Sequence, residues 1–253
     1  MSTTPIVRIF PSKQKLAEKL AADFVQYLMS MAPLEVKVYV ALSGGSTPSV
    51  FFKEVVKLNP AINWENVIFF WVDERCVPPG HPESNFGVAN REFLSPLGIP
   101  ESSYHRIIGE NDPEKEAKRY GDLVLDTVSP GMSFPVFHWV FLGMGADGHT
   151  ASIFPNQINL WNTESLCTVG IHPETGQKRI SFTGHLINAA TRVAFLVTGK
   201  EKQAVVESII HSTGNYRDYP ASLVSPNQGE LEWYLDADAA GNLSPENYSS
   251  KPS

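Results

Sequence analysis

Short apolar runs alternate along this chain with longer stretches whose apolar residues recur every three or four positions, the pattern of strands alternating with amphipathic helices. Ile6 to Phe10 reads as a short strand, and Ser12 caps a helix that carries Leu16, Leu20, Phe24 and Leu28 on one face. Val36 to Leu42 predicts a second strand. The turn Ser43-Gly44-Gly45-Ser46-Thr47-Pro48 follows, and Pro48 at a first helical position starts a helix to about Leu58. Val67 to Val72 predicts a third strand ending in Asp73-Glu74-Arg75, and Ser84 to Phe93 reads as helical. Pro113 to Val128 is a charged amphipathic helix, and Val136 to Leu142 a strand that runs into a glycine-rich turn. Arg192 to Thr198 predicts a strand, Lys200 to His211 a helix, and Leu231 to Leu235 a final strand.

Parallel strands need crossover connections, and the helices that supply them also cover the sheet. The alternation therefore predicts an α/β fold, a three-layer αβα sandwich with a mostly parallel sheet. The less regular segment 156–184 predicts a small β excursion through Cys167 to Ile171 and Arg179 to Thr183. Residues 1–236 read as a single domain. Residues 237–253, rich in Ser, Asn, Pro and Gly, read as a C-terminal tail for which disorder is the default.

Composition narrows the function. With 253 residues, 42% of them hydrophobic, the chain can bury a substantial core without staples. A net charge of −7 argues against nucleic acid as a partner, so an anionic ligand needs a local cluster of basic groups. Cys76 and Cys167, with no secretory leader pattern, predict free thiols in a reducing compartment. No apolar run is long enough to span a membrane, and the ending Ser-Lys-Pro-Ser does not match a peroxisomal address, so the cytoplasm is the expected location. Oligomeric state is expected to be monomer or weak homo-oligomer.

In parallel α/β sheets ligands bind at the carboxyl ends of the strands, and three polar turns fall at that edge here. In Ser43 to Pro48, Gly44, Gly45 and Ser46 offer backbone amides at a helix start, a cradle suited to a phosphate. The turn lacks the lysine and glycine spacing of a P-loop. It approaches a nucleophile elbow with Ser46 at its tip, but Pro48 replaces the last glycine. After the third strand, Arg75 suits a phosphate or carboxylate, Asp73 suits a hydroxyl or a histidine, and Glu74 reads as half of a surface ion pair. The third turn, Gly143 to Pro155, carries Asp147 and His149. Gly143, Gly145 and Gly148 spell GxGxxG, yet Pro155 interrupts the long helix that a dinucleotide site requires, and Asp147 would repel a pyrophosphate. No nicotinamide, flavin or other cofactor is therefore expected. His149 is the candidate acid/base group, among competitors His138, His172, His185 and His211. No metal is expected, because paired metal-ligand spacing is absent. Arg179 and Lys202 are the remaining basic candidates beside these turns.

Taken together, SGGSTP (Ser43 to Pro48), DERCVP (Asp73 to Pro78), ESNFG (Glu83 to Gly87), GMGADGHTASIFP (Gly143 to Pro155), Arg179-Ile180-Ser181 and TGKEKQ (Thr198 to Gln203) resemble the 6-phosphogluconolactonase family. The motifs run in order through nearly the whole chain. The resemblance implies hydrolysis of 6-phospho-D-glucono-1,5-lactone to 6-phospho-D-gluconate in the oxidative pentose phosphate pathway. It also implies a modified Rossmann-like fold shared with glucosamine-6-phosphate deaminase and ribose-5-phosphate isomerase. By the same resemblance His149 is the catalytic histidine, with Asp73 and Asp147 beside it. Gly44, Gly45, Ser46, Arg75, Arg179 and Lys202 then form the phosphate site, with Lys202 preferred over Lys200. Ser181 departs from the family's usual threonine.

Three rival readings remain. A glucosamine-6-phosphate deaminase needs an acidic residue after the Gly-His pair, where this chain has Ser152-Ile153-Phe154-Pro155. A sugar-phosphate sensor would keep the anion site without catalysis. A serine esterase would use Ser46.

Overall fold

Strands and helices alternate along the computed structural model, which describes residues 4–34, 36–128 and 134–243. In chain order the elements are β1 (Ile6–Phe10), α1 (Lys13–Met31), β2 (Val38–Leu42), α2 (Ser46–Leu58), β3 (Val67–Trp71), β4 (Asp73–Arg75), α3 (Asn85–Ala89), β5 (Tyr104–His105) and α4 (Pro113–Thr127). They continue with β6 (Trp139–Leu142), β7 (Cys167–Ile171), β8 (Lys178–Phe182), α5 (Gly184–Asn188), β9 (Arg192–Val197), α6 (Gln203–His211), β10 (Glu230–Asp236) and α7 (Ala237–Ala240).

Seven strands form one sheet in the order β1-β10-β9-β6-β2-β3-β5, with every neighbouring pair parallel. The fold is thus the α/β sandwich that the alternation implied. The excursion is a separate antiparallel sheet ordered β4-β8-β7. Its hairpin, β7 and β8, matches the expected segment. Its third strand, β4, is the short charged Asp73-Glu74-Arg75, which lacks the length and the apolar alternation by which strands are recognised.

Side-chain alternation along β3 shows why helices must cover both faces of the sheet. Phe69 packs edge-on against Phe93 on one face, while its neighbour Phe70 meets Tyr120 of α4 and Phe137 on the other. Phe24 of α1 fills the first face, against Phe51 of α2 and against Trp139 and Phe141 of β6. Phe182 of the small sheet closes the second face on Tyr120 and Phe137. Burying each such ring is worth about 1.5–3 kcal/mol relative to leaving it in water. This aromatic packing fixes the strand ends that carry the polar turns.

Several boundaries differ from expectation. The strand expected from Val136 begins at Trp139, because His138 Nδ1 takes the hydrogen bond from the Tyr39 amide that a backbone carbonyl would otherwise accept. Helix α2 starts at Ser46, with Gly45 as its cap at φ 113°, so Pro48 is the third helical residue rather than the first. First-turn amides have no intrahelical acceptor, so a proline there breaks nothing. The helix expected over Ser84 to Phe93 is α3 followed by a wider π turn, Asn90–Leu94, which buries Phe93. Lys200–Lys202 form a 3-10 turn ahead of α6.

The expected disorder from residue 237 is corrected over the described part of the tail. Asp236 caps α7 by accepting from the Ala239 amide at 2.8 Å, and Ala239, Ala240 and Leu243 are buried. Residues 244–253 of the expected tail lie outside the described residues.

Candidate active site

The carboxyl ends of β2, β3, β6, β9 and β10 surround a cavity of about 600 Å³. Gly44, Gly45, Ser46, Asp73, Arg75, His149, Arg179 and Lys202 line it, whereas Lys200 does not. Asp147 does not line it either. It stands against the imidazole, with His149 Nδ1 2.6 Å from Asp147 Oδ1.

That contact follows from a tight turn. The Gly145 amide donates to His149 O at 2.9 Å and the Gly148 amide to Gly145 O at 3.1 Å, folding the segment back on itself. A Cβ on Gly145 would fall 2.1 Å from His149 Nδ1 and 2.3 Å from Asp147 Oδ1, so only glycine leaves room for the pair. Phe154, fully buried, holds the other side of the ring at a centroid distance of 4.7 Å. Burial works to raise the Asp147 pKa, but the hydrogen bond and the charge of His149 outweigh it and hold the carboxyl below its ordinary value. An ionised carboxylate only accepts, so His149 Nδ1 is the donor and Nε2 is left as the basic nitrogen.

Asp73 is buried at the start of β4 and accepts from Ser152 Oγ at 2.6 Å. Asn85 Nδ2 donates to Asp73 O at 2.9 Å. Asn85 also lines the cavity, yet it was singled out only as part of a motif, since a lone asparagine at a helix start reads as a cap. The expectation that Glu74 forms a surface ion pair is corrected. Glu74 is 2% exposed and accepts from the Arg75, Asn85 and Phe86 amides and from Ser84 Oγ. Burial pushes its carboxyl above the ordinary range despite those donors. It anchors the chain on both sides of the loop between Arg75 and α3.

Arg75 and Arg179 are register partners across β4 and β8. Neither forms an ion pair among the described residues. Arg75 Nη1 donates to Glu83 O at 2.5 Å, Arg179 Nε to Gln177 Oε1 at 3.2 Å, and Arg75 Nε is buried with no partner among the described residues. Burial first, and then the Arg75 charge, lower the Arg179 pKa. Two guanidiniums held together this way favour an anion between or beside them.

Lys13 was missed, because a lysine in the first turn of an amphipathic helix carries no motif. It lines the cavity and donates from Nζ to Ser46 Oγ at 3.2 Å. Ser46 thus meets a lysine rather than an imidazole, so the Ser-His pair of a triad-type serine esterase is not formed here. The GxGxxG turn runs into the 3-10 segment Pro155–Asn162 instead of a long helix, so the dinucleotide context is absent.

A parallel α/β sheet whose strand ends gather glycine turns, two arginines, a lysine and a histidine around one cavity is the architecture on which the comparisons with known proteins bear. The model of the family described as glucosamine-6-phosphate isomerases/6-phosphogluconolactonase matches residues 11–233. The 6-phosphogluconolactonase of Aggregatibacter actinomycetemcomitans is 42% identical over 91% of this chain and 97% of its own length. That of Haemophilus influenzae is 42% identical over 90% and 95%. A crystal structure of a devB protein superposes with a TM-score of 0.87 at 40% identity, covering 94% of this chain and 99% of that one. The chain belongs to the glucosamine-6-phosphate isomerase/6-phosphogluconolactonase family.

Proposed function

We propose that this protein hydrolyses 6-phospho-D-glucono-1,5-lactone to 6-phospho-D-gluconate, the lactone-opening step of the oxidative pentose phosphate pathway. The observation that carries the reading is His149, braced by Asp147 on Nδ1, facing the cavity that Arg75, Arg179 and Lys202 also line. Its relatives at 42% identity bear the name of this activity.

In this mechanism neutral His149 takes a proton from water through Nε2 as the water attacks C1, and the tetrahedral intermediate collapses with return of that proton to the ring oxygen. Asp147 stabilises the imidazolium between the two transfers. Asp73 positions a sugar hydroxyl, and nearby donors meet the oxyanion, a contribution typically worth about 3–4 kcal/mol per donor. The Gly44-Gly45-Ser46 turn, Arg75, Arg179 and Lys202 hold the phosphate, which lies several bonds from C1 and so supplies positioning rather than chemistry. No metal or cofactor takes part.

Phe154 favours the lactonase over an amino-sugar isomerase, since an apolar ring lies against His149 in the stretch where the isomerase needs a carboxylate. The same reading takes the enzyme as cytoplasmic, as a monomer or weak homo-oligomer, with a sugar-phosphate lactone as its partner and no nucleic acid. Among the described residues no helix is long and apolar enough to cross a membrane.

Because the lactone also opens unaided, the test is acid release from freshly formed lactone with and without protein at one pH. A rate well above the spontaneous one is expected. A rate equal to it, or deamination of glucosamine 6-phosphate instead, overturns the proposal.

A further inference from the structure

Lys13 is the least compensated cation on its helix. It opens α1, where Ser12 accepts from the Lys15 amide, and the first turn contains no acidic residue. A positive charge at that position opposes the helix dipole. The next lysines are paired, Lys15 with Glu18 at 2.7 Å and Lys19 with Asp23. Lys13 has no ion pair among the described residues, and its ammonium reaches across to Ser46 Oγ instead.

Ser46 belongs to the first turn of α2, a 13-residue helix. The adjoining Thr47 Oγ1 lies 2.8 Å from Thr198 Oγ1, next to the turn that leads to Lys202. Two side-chain hydrogen bonds thus join Lys13, the α2 turn and the β9 turn along one stretch of the cavity wall. Thr47 and Thr198 are buried, so this stretch is fixed, while Lys13 keeps two N–H donors beyond the one on Ser46.

We propose that Lys13 is a substrate-binding residue that acts with Ser46 and Lys202 on the phosphate of the lactone and selects phosphorylated over neutral lactones. This rests on the lactonase reading above. The anion supplies the charge partner that α1 does not, and the Ser46 hydroxyl, now receiving from Lys13, turns its own proton toward a phosphate oxygen. The alternative is a purely structural tie between α1 and α2.

The two are separated by calorimetric binding of 6-phosphogluconate, by kcat and KM for lactone opening, and by thermal melting. The variants are Lys13→Met, Lys13→Gln and Lys13→Arg. Loss of a hydrogen bond to a charged group predicts about tenfold weaker binding in both neutral variants. The loss falls on KM rather than kcat, shrinks at high salt and is largely restored in Lys13→Arg. Preference over unphosphorylated gluconolactone narrows in parallel. A lowered melting temperature with unchanged 6-phosphogluconate affinity overturns the proposal in favour of the tie. Failure of the lactonase reading shows differently, as wild-type protein that neither binds 6-phosphogluconate nor accelerates acid release.

Discussion

Arg8 and Arg192 close on one buried carboxylate, Glu232, at 3.2 and 2.7 Å, whereas Arg75 and Arg179 face each other across β4 and β8 with no carboxylate in ion-pair range among the described residues. The first group sits where β9 and β10 begin, and Arg192 also stacks on Trp139, its guanidinium carbon 3.7 Å from the ring centroid. The second sits at the edge where the strands end. Charges satisfied within the protein hold strands together, while charges left without a counter-ion around a cavity keep binding energy available for a ligand. Sequence position does not distinguish the two, since each group joins arginines far apart in the chain.

The largest effect is expected at His149, the proposed acid/base group. His149→Ala should lower kcat by about 10² to 10⁴, the range for one acid/base group, with little loss of 6-phosphogluconate binding. Steady-state kinetics with the spontaneous rate subtracted checks this. Glu232→Ala should act on stability instead. Removing the carboxylate shared by two partly buried arginines should cost on the order of 3 kcal/mol in urea unfolding, with kcat per folded molecule unchanged. A stable Glu232→Ala protein that has lost substrate binding would reverse the comparison.

Arg179→Ala tests the opposite expectation for the ligand-facing pair. Its KM should rise about 10- to 100-fold, from the loss of charge-assisted hydrogen bonds, while the melting temperature holds or rises as the repulsion with Arg75 is relieved. Asp147→Asn should have the smallest effect, about a tenfold loss of kcat, because the bracing bond is weakened but the imidazole stays. The direction of the Asp147 shift fixes the pH dependence. A carboxyl held below its ordinary value gives its support above the ordinary carboxylate range and loses it as pH falls through the lowered value. The advantage of wild type over Asp147→Asn in kcat should therefore hold from neutral pH down to the ordinary carboxylate range and narrow only below it, which kcat of both proteins measured across pH checks.

Six of the seven strands of the large sheet were legible because they are apolar runs of four to seven residues, whereas β5, only Tyr104 and His105, is too short and too polar to be recognised. What escaped was set by contacts that local patterns do not encode. β4 is a strand only because β8 pairs with it, and Glu74 is buried only because the Ser84 to Phe86 segment folds back over it. α7 was hidden in a composition that reads as disordered, yet Asp236 caps it and Ala239 and Ala240 are buried. Of the cavity's lining, turns at strand ends pointed to Gly44, Gly45, Ser46, Asp73, Arg75 and His149, and the resemblance added weight to Arg179 and Lys202. Lys13 and Asn85 face the same cavity from helix starts, where their residue types carry no distinctive signal.

The most direct measurement is a crystal structure with 6-phosphogluconate bound. The phosphate should lie within about 3 Å of donors from the Ser46 turn, Arg179 and Lys202, with the carboxylate carbon beside His149 Nε2. A product seated elsewhere, with its phosphate on Arg8 and Arg192 or its carboxylate remote from His149, would contradict the account.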